Sequence, residues 1–278
     1  MAVAGVVILY YPEETAIKNI QSYLPYLDKL YIADNTEYER SEVASYFQND
    51  NKVQLLHDGN NKGIAKRLNE AATLALEEKH NWLLTMDQDS FFEDQVLQDY
   101  LLCAGSYLHK DRTAMFGVTY GAKEDITDCN PVEKNKLITS GSFLNLRLFS
   151  EIGGFEEKLF IDEVDHEYCY RARLKNYLIV QFQNIFLHHS LGATSQHKSL
   201  KNMKLSNRSL HSPQRMYYMV RNFFYVNHLF KSYFPDDMKE IKKMVQNRIK
   251  NNLLYNRKRI AVFINICKGF IDFKRDKF

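Results

Sequence analysis

The chain has 278 residues, of which 45% are hydrophobic and 26% are charged, so it can bury the core of one large domain, or of a domain with an appendage. Its cysteines (Cys103, Cys129, Cys169 and Cys267) include no CxxC pair and no cluster with histidine. This spacing argues against a structural zinc site and a disulfide framework, and it indicates a reducing compartment. No run reaches the roughly 18 apolar residues of a membrane span, so we expect a cytoplasmic protein.

The net charge of +3 is unevenly distributed. Residues 201–278 hold 18 Lys and Arg against 5 Asp and Glu, whereas residues 1–200 hold 19 against 29. An acidic body followed by a basic segment predicts an anionic surface or partner for that segment. The change in composition divides the chain into a first domain, residues 1–205, and a basic, aromatic-rich helical segment, residues 206–278.

Strand and helix patterns alternate at the start of the chain. Val3–Leu9 is apolar throughout, as in a parallel strand that is buried on both faces. A helical pattern follows from Glu13 to Leu27. Further strands are predicted at 30–33, 53–56 and 82–86, with a helix at 64–79. This order predicts an α/β fold with a mostly parallel sheet and right-handed crossovers.

The rest of the chain predicts more strands and then a helical end. Strands are expected at 114–119 and 178–182, helices at 91–110 and 165–174, and an exposed loop at 121–136. From Pro213 the pattern predicts two or three helices, broken near Pro235, with Asp236 or Asp237 capping the next one. The last helix, residues 257–275, combines a basic edge with a large apolar face. It fits either an interfacial helix on a membrane or a helix docked on the protein's own core.

Two aspartates, Asp87 and Asp89, follow the apolar strand Trp82–Met86 directly. Residues i and i+2 in an extended segment point the same way, and an open α/β sheet binds its ligand at the carboxyl ends of its strands. Mg²⁺ prefers carboxylate oxygens together with substrate phosphates. We therefore expect a metal–diphosphate site, against the alternative of a polar turn. Asp34 and the loop of Asn61 and Gly63 are expected at the same edge.

A second acidic cluster comprises Asp162, Glu163, Asp165 and Glu167. A carboxylate at Asp165, near the start of a helix, is stabilised by the helix dipole and could accept a proton from an acceptor hydroxyl. The alternative is a set of solvated acids that cap the helix.

The pair His188–His189 offers an imidazole for a metal or a phosphate, against a purely structural role. The chain has no Walker A motif, no GxGxxG and no Gly-x-Ser-x-Gly elbow, which counts against P-loop and dinucleotide enzymes.

Taken together, these motifs resemble the inverting GT-A glycosyltransferases of family 2, and more specifically their bacterial rhamnosyltransferase branch. The resemblance runs from about residue 3 to about residue 230. It is carried by Leu84–Ser90, by Gly153–Phe155 followed by Phe160–Arg173, by His188–Gly192 and by Ser212–Asn222. It implies that residues 1–205 form a GT-A catalytic domain that binds a nucleotide sugar. Two departures are Val164 before the base, where many members have Glu, and Tyr168, where the branch often has Trp.

The resemblance also implies roles for individual residues. The nucleotide base is expected at Tyr10, Tyr11 and Asp34, and the ribose and diphosphate along Asn61, Gly63 and Arg67. Asp87 and Asp89 match the metal-binding pair, and His189 matches a metal or diphosphate contact. Asp165 aligns with the catalytic base, with Asp162 and Glu163 as alternatives. The acceptor or donor side is expected to include Asp162, Glu163, Glu167, Arg215, Tyr218 and Arg221.

The implied reaction uses Mg²⁺ or Mn²⁺ and moves a sugar to a saccharide or lipid-linked acceptor in bacterial cell-surface polysaccharide synthesis. The expected donor is dTDP-rhamnose. The alternatives are UDP-galactose, UDP-galactofuranose or UDP-N-acetylglucosamine, or a non-catalytic sugar-binding subunit.

The basic C-terminal segment is expected to lie on the inner face of the cell membrane. We favour this over nucleic-acid binding, because its aromatic and aliphatic content suits a lipid surface. The aromatic-rich residues 213–234 are a candidate face for a homodimer.

Overall fold

The computed structural model describes residues 2–121, 128–189, 194–198 and 205–277. The chain forms two compact units. The first comprises residues 1–157 and 164–190, and the second comprises Lys158–Glu163 together with the residues that follow 190. This division differs from the boundary placed at residue 205, because a short segment from the middle of the chain packs with the C-terminal helices.

The first unit is built on a nine-stranded sheet. Its strands are β1 (Val3–Leu9), β2 (Lys29–Asp34), β3 (Val53–Leu56), β4 (Trp82–Asp87), β5 (Ser90–Phe91), β6 (Thr113–Tyr120), β7 (Pro131–Glu133), β8 (Ser142–Asn145) and β9 (Leu178–His189). They are ordered β3-β2-β1-β4-β8-β6-β9-β5, and β7 pairs with β9. Strands β5, β7 and β8 run against the other six, so the expectation of an α/β fold with a mostly parallel sheet is confirmed.

The strand register fixes where the functional loops begin. In the parallel pairs of β1, Leu9 lies opposite Asp34 and Ile8 lies opposite Asp87. The ends of β1, β2 and β4 therefore meet at one edge of the sheet, as the sequence predicts. The strands that carry these ends are almost fully buried, as expected for parallel strands that are covered on both faces.

Six helices flank the sheet, and they are α1 (Thr15–Tyr23), α2 (Glu42–Tyr46), α3 (Gly63–Glu77), α4 (Val96–Ser106), α5 (Leu146–Ile152) and α6 (Val164–Leu174). Helix α3 buries Ala71, Ala72 and Ala75 together with Leu68, and these small side chains allow it to approach the strands closely. The core contains tilted and edge-on pairs of aromatic rings, among them Tyr100, Phe116, Phe143 and Phe182.

Two expectations for the first unit need correction. Cys103 of α4 and Cys129 form a disulfide, with 5.5 Å between their Cα atoms, so the expectation that the cysteines stay unpaired is wrong for this pair. The bond joins residues 26 positions apart, a distance over which sequence spacing gives no pairing signal. Strand β7 lies in the segment expected to be a loop at 121–136, and residues 122–127 of that loop lie outside the described residues.

The second unit contains a two-stranded antiparallel sheet and three long helices. Its elements are β10 (Thr194–Lys198), β11 (Leu205–Ser209), α7 (Pro213–Phe230), α8 (Pro235–Tyr255) and α9 (Arg259–Lys274). Ser212 caps α7 by accepting a hydrogen bond from the Arg215 backbone. Asp236 and Asp237 do not cap α8 as expected, because the helix already begins at Pro235 and both lie in its first turn.

Helices α7 and α9 come unusually close to each other. A Cβ atom at Gly269 would lie 2.6 Å from the carbonyl oxygen of Tyr217, so only glycine fits at this crossing. In the part of the chain that the structure describes, none of the helices has the length and apolar character needed to cross a bilayer.

Candidate active site

The ends of β1 and β2 form the first part of the site. Asp34 is fully buried, and its carboxylate accepts hydrogen bonds from the backbone N–H groups of Thr36 at 3.0 Å and Ser41 at 2.7 Å. Tyr10 and Tyr11 follow β1 and are 46% and 58% exposed. The Tyr11 backbone N–H donates to the Thr36 hydroxyl at 3.1 Å. Two exposed rings thus stand beside a loop that Asp34 holds rigid, an arrangement that suits a planar base.

Arg67 is buried, with only 2% of its surface exposed. Its guanidinium donates to Asn35 at 3.0 Å, to Glu70 at 2.8 Å and to Asp58 at 2.9 Å. Asn35 also accepts the backbone N–H of Lys62 at 3.1 Å. Since every guanidinium nitrogen already serves a protein acceptor, Arg67 as placed holds the loop after β3. With 2% of its surface exposed, Arg67 presents almost no surface to the ribose and diphosphate that the sequence places beside it.

Asn61 and Gly63 lie in the loop that Arg67 holds. The Asn61 side chain accepts the backbone N–H of Gly63 at 3.0 Å. Gly63 begins α3 with a left-handed backbone, φ +81°, which glycine adopts without the steric cost of a side chain. This turn brings the backbone at the start of α3 to the same edge as Asp34, where N–H groups can face an anion.

Asp87, Asp89 and His189 come together as predicted. Each offers one ligand atom, and these atoms lie within 4.8 Å of one another. The Asp89 carboxylate is 3.4 Å from Nδ1 of His189. Its hydrogen bond raises the pKa of His189, as does the charge of Asp87, while partial burial opposes the rise. Two carboxylates and an imidazole are a donor set that fits Mg²⁺ or Mn²⁺.

Strand pairing explains how His189 reaches the aspartates from 100 residues away along the chain. Ser90 of β5 lies opposite His189 of β9, and their side chains are 2.7 Å apart. Ser140 then donates to the Ser90 hydroxyl at 2.8 Å and accepts the backbone N–H of Asp87 at 3.3 Å. Ser90 and Ser140 therefore hold the ligand residues in place. The motif that follows His189 in the sequence, at residues 190–192, lies outside the described residues.

Tyr120 connects the metal cluster with the expected base. Its hydroxyl donates to the Ser140 carbonyl at 2.6 Å, and its ring packs edge-on against His189. Burial raises the pKa of Tyr120, and the charges of Asp87 and Asp165 raise it further. Asp87 and Asp165 are therefore both within electrostatic range of the Tyr120 hydroxyl. Asp165 occupies the first turn of α6.

Gln88 lies between the two aspartates, and its hydrogen bonds join the ends of two strands. Gln88 accepts the backbone N–H of Tyr10 at 2.8 Å through its side chain, and it accepts the Asn19 side chain at 2.9 Å through its carbonyl. It therefore fastens the end of β4 to the end of β1. Sequence reasoning missed Gln88, Ser90, Tyr120 and Asn35 as parts of the site, although the alternation of side chains along an extended segment already points Gln88 away from its two neighbours.

Glu167 lies inside the protein, with 3% of its side chain exposed. Its two oxygens accept from Arg171 at 2.6 and 2.7 Å. Burial raises the pKa of Glu167, and Arg171 opposes that rise. Arg171 also donates to the carbonyls of Ile152 and Gly154. The pair therefore fixes the turn at Gly153–Gly154, which gives Glu167 a structural task, and its role on the acceptor or donor side stays a prediction.

The remaining predicted residues lie in the second unit, where α7 holds the segment 158–163. Arg215 pairs with Asp162 at 3.1 Å, and the ring of Tyr218 stacks on Phe160 with 4.9 Å between centroids. Arg221 is buried and donates to the carbonyl of Lys158 at 2.5 Å.

Asn222 completes this hold on the segment. Its side chain donates to the carbonyls of Leu159, Ile161 and Asp162 at 2.7–3.0 Å. Phe160, Asp162 and Glu163 all have a left-handed backbone, with φ of 63–65°, which costs on the order of 1 kcal/mol per non-glycine residue. The contacts from α7 offset that cost.

The family model for glycosyl transferase family 2 matches residues 6–169, which is more than half of the chain and includes Asp87, Asp89 and Asp165. The chain belongs to glycosyl transferase family 2. The dTDP-rhamnosyl transferase RfbF of Shigella flexneri is 25% identical to this family member, and the match covers 95% of each chain. The predicted family and the predicted glycosyltransferase activity are thereby confirmed.

Solved structures show the same fold. GalNAc-T7, determined with UDP, GalNAc and Mn²⁺, has a TM-score of 0.64 at 12% identity, and S. aureus TarS has a TM-score of 0.59 at 14% identity. Each match covers 99% of this glycosyltransferase but 56% and 49% of those chains, so it spans about half of their length. A TarS fragment in complex with UDP-GlcNAc has a TM-score of 0.53 at 13% identity, over 100% of this chain and 93% of that one. The predicted GT-A fold is confirmed.

Glu167→Gln tests the structural task of the buried ion pair in this glycosyltransferase. The variant leaves the Arg171 charge without its carboxylate, so the free energy of unfolding should fall by about 2 kcal/mol in urea titrations. Lys239→Gln is the matched control, because it removes one partner of an exposed pair with Asp236 and should change stability by less than about 0.5 kcal/mol. If Glu167→Gln leaves the stability unchanged but weakens acceptor binding, Glu167 contacts the acceptor and its structural role is contradicted.

Proposed function

We propose that this glycosyltransferase moves L-rhamnose from dTDP-rhamnose to a saccharide or lipid-linked acceptor, with inversion at the anomeric carbon. The observation that carries the chemistry is the cluster of Asp87, Asp89 and His189. Tyr120 packs on His189, and Asp165, in the first turn of α6, is within electrostatic range of the same Tyr120. The similarity to a dTDP-rhamnosyl transferase over 95% of both chains supports the choice of donor.

The donor half of the proposed site follows from the edge of the sheet. Tyr10, Tyr11 and the loop at Asp34 receive the base, and the turn at Asn61–Gly63 receives the ribose and diphosphate. Asp87, Asp89 and His189 hold the cation. When bound, Mg²⁺ or Mn²⁺ supplies positive charge that stabilises the leaving diphosphate. Arg67 acts indirectly in this proposal, since its contacts to Asn35 and Asp58 keep the loop in shape.

Asp165 supplies the base in the acceptor half. Its carboxylate removes the proton from the acceptor hydroxyl, and the oxygen attacks the anomeric carbon on the face opposite the diphosphate. The bond to the diphosphate breaks as the new glycosidic bond forms, so the configuration inverts. The position of Asp165 in the first turn of α6 favours a negative charge, because the positive end of the helix dipole lies there.

A donor panel tests the choice of sugar. The full chain is incubated with Mg²⁺ or Mn²⁺, saccharide acceptors and, in turn, dTDP-rhamnose, UDP-galactose, UDP-galactofuranose and UDP-N-acetylglucosamine, and nucleoside diphosphate release is measured. We expect release with dTDP-rhamnose. Release with a UDP-sugar alone would replace the donor and keep the mechanism, whereas no release with any donor would favour a non-catalytic sugar-binding subunit.

Asp165→Asn tests the base. A side chain that cannot accept the proton should lower kcat by about 10³-fold, while the dissociation constant of the donor, measured by calorimetry, should change by less than about twofold because the donor half is untouched. Asp162→Asn is the matched control, since the Asp162 carboxylate pairs with Arg215, and we expect it to retain most of the activity. If Asp165→Asn keeps full turnover while Asp162→Asn or Glu163→Gln loses activity, the base is Asp162 or Glu163 instead.

Asp89→Ala tests the cation site. We expect donor affinity to become independent of Mn²⁺ and to match that of the wild-type chain in EDTA, because one of the clustered ligands is removed. Asp94→Ala is the control, since Asp94 is an exposed acid five positions away and should leave the metal dependence intact. Donor titrations of the wild-type chain that are identical with and without EDTA would contradict the cation site.

A further inference from the structure

Helix α9 has two apolar faces. One face packs against the other helices of the second unit: Val262 and Gly269 are buried, and Phe273 stacks on Phe224 of α7 with 5.6 Å between centroids. The opposite face carries large apolar side chains that remain exposed. These are Ile260 at 74%, Phe263 at 57%, Ile264 at 59% and Ile271 at 44%. Phe270, at 41%, lies at the border of this face and also packs edge-on against Phe224 of α7.

The exposed residues form one continuous stripe. Their spacing of three, four and seven positions places them on one side of a helix, along about 16 Å of its length. Single exposed apolar residues are ordinary, but contiguous apolar surface marks an interaction site. Docking on the protein's own core explains only the inner face of α9, so the outer stripe needs another partner.

Positive charge borders the stripe. Arg257, Lys258 and Arg259 lie at its amino-terminal end, while Lys274 and Arg275 lie within about 60° of Ile260 in helical projection. The acidic residue of the helix, Asp272, is on the inner side, where it accepts the Tyr217 hydroxyl at 3.0 Å. Residues 201–278 as a whole hold 18 Lys and Arg against 5 Asp and Glu.

We infer that the outer face of α9 binds the interface of an anionic lipid bilayer. Ile260, Phe263, Ile264 and Ile271 enter the boundary between headgroups and acyl chains, and the flanking Lys and Arg contact the anionic headgroups. Charge favours this partner over a second copy of the chain, because the centres of protein interfaces are depleted of Lys, and a self-pairing α9 would bring two basic borders together.

Vesicle flotation of the full chain tests the inference. Vesicles of phosphatidylcholine are compared with vesicles that also contain about 30% phosphatidylglycerol, and binding to the anionic vesicles should be at least about tenfold tighter. The variant Ile260→Ser/Ile264→Ser/Ile271→Ser should lose at least about tenfold in affinity for them.

A matched control comes from the first unit. Leu102, Leu108 and Leu174 are also exposed, at 64%, 84% and 43%, and their triple change to Ser should leave vesicle binding unaltered. Circular dichroism checks that both triple variants stay folded. Equal binding of the α9 variant and the wild-type chain would overturn the inference.

Lys274→Gln and Arg275→Gln separate the charge from the apolar stripe. Each should weaken binding to anionic vesicles by about fivefold, and binding to neutral vesicles should not change. Losses that are equal for both kinds of vesicle would overturn the part assigned to charge.

A fluorophore attached to Cys267 can report whether the stripe inserts into the bilayer. Cys267 is free and partly exposed near the middle of the stripe, whereas Cys169 is buried and Cys103 is bonded to Cys129. An environment-sensitive fluorophore on Cys267, attached without reducing agent, should shift to shorter wavelength on anionic vesicles only. A probe that stays in an aqueous environment would overturn the inference.

Light scattering tests the other possible partner of the stripe, which is a second copy of the chain. A concentration-dependent dimer that the α9 triple variant abolishes, combined with no vesicle binding, would assign the stripe to a second copy of the chain and overturn the lipid assignment. A monomer that binds anionic vesicles supports it.

Discussion

Negative charge concentrated at the end of β4 is the constraint on which the site depends. Asp87 and Asp89 lie two residues apart in a partly buried position, and like charges at close range disfavour each other. The fold brings His189 to within 3.4 Å of Asp89 by pairing β5 with β9, and the pKa of that imidazole rises in response. A divalent cation held by Asp87 and Asp89 would relieve the same repulsion by adding positive charge between them.

Other acidic side chains pair with arginines of the same chain, and these pairs stabilise the structure. Glu167 is held by Arg171, and Asp162 is held by Arg215. Breaking a buried pair costs far more than an exposed pair contributes, so such residues are poor candidates for a chemical step. Four acids between residues 162 and 167 look alike in the sequence, and the structure shows that two of them, Glu167 and Asp162, pair with Arg171 and Arg215.

The sequence predicts the features of the fold and site that depend on local residue patterns. It does not predict the contacts between residues that are far apart along the chain. The strands from β1 to β4 and the aspartates at the end of β4 follow from buried apolar runs and the carboxyl-edge rule. His189 was a candidate because of its chemistry, but its approach to Asp89 depends on strand pairing across 99 residues. Tyr120, the Cys103–Cys129 bond and the use of all three Arg67 nitrogens depend likewise on tertiary contacts, which residue spacing does not encode.

The inner face of helix α9 is shaped by its close approach to α7. A Cβ atom at Gly269 would lie 2.6 Å from the carbonyl oxygen of Tyr217, so bulk is excluded at the crossing itself, while Phe273 packs on Phe224 further along the helix. Ile260, Phe263 and Ile264 lie away from this contact and stay exposed. The sequence offered a docked helix and an interfacial helix as alternatives, and docking accounts for the inner face. The exposed apolar face with its basic border is the feature from which we infer lipid binding.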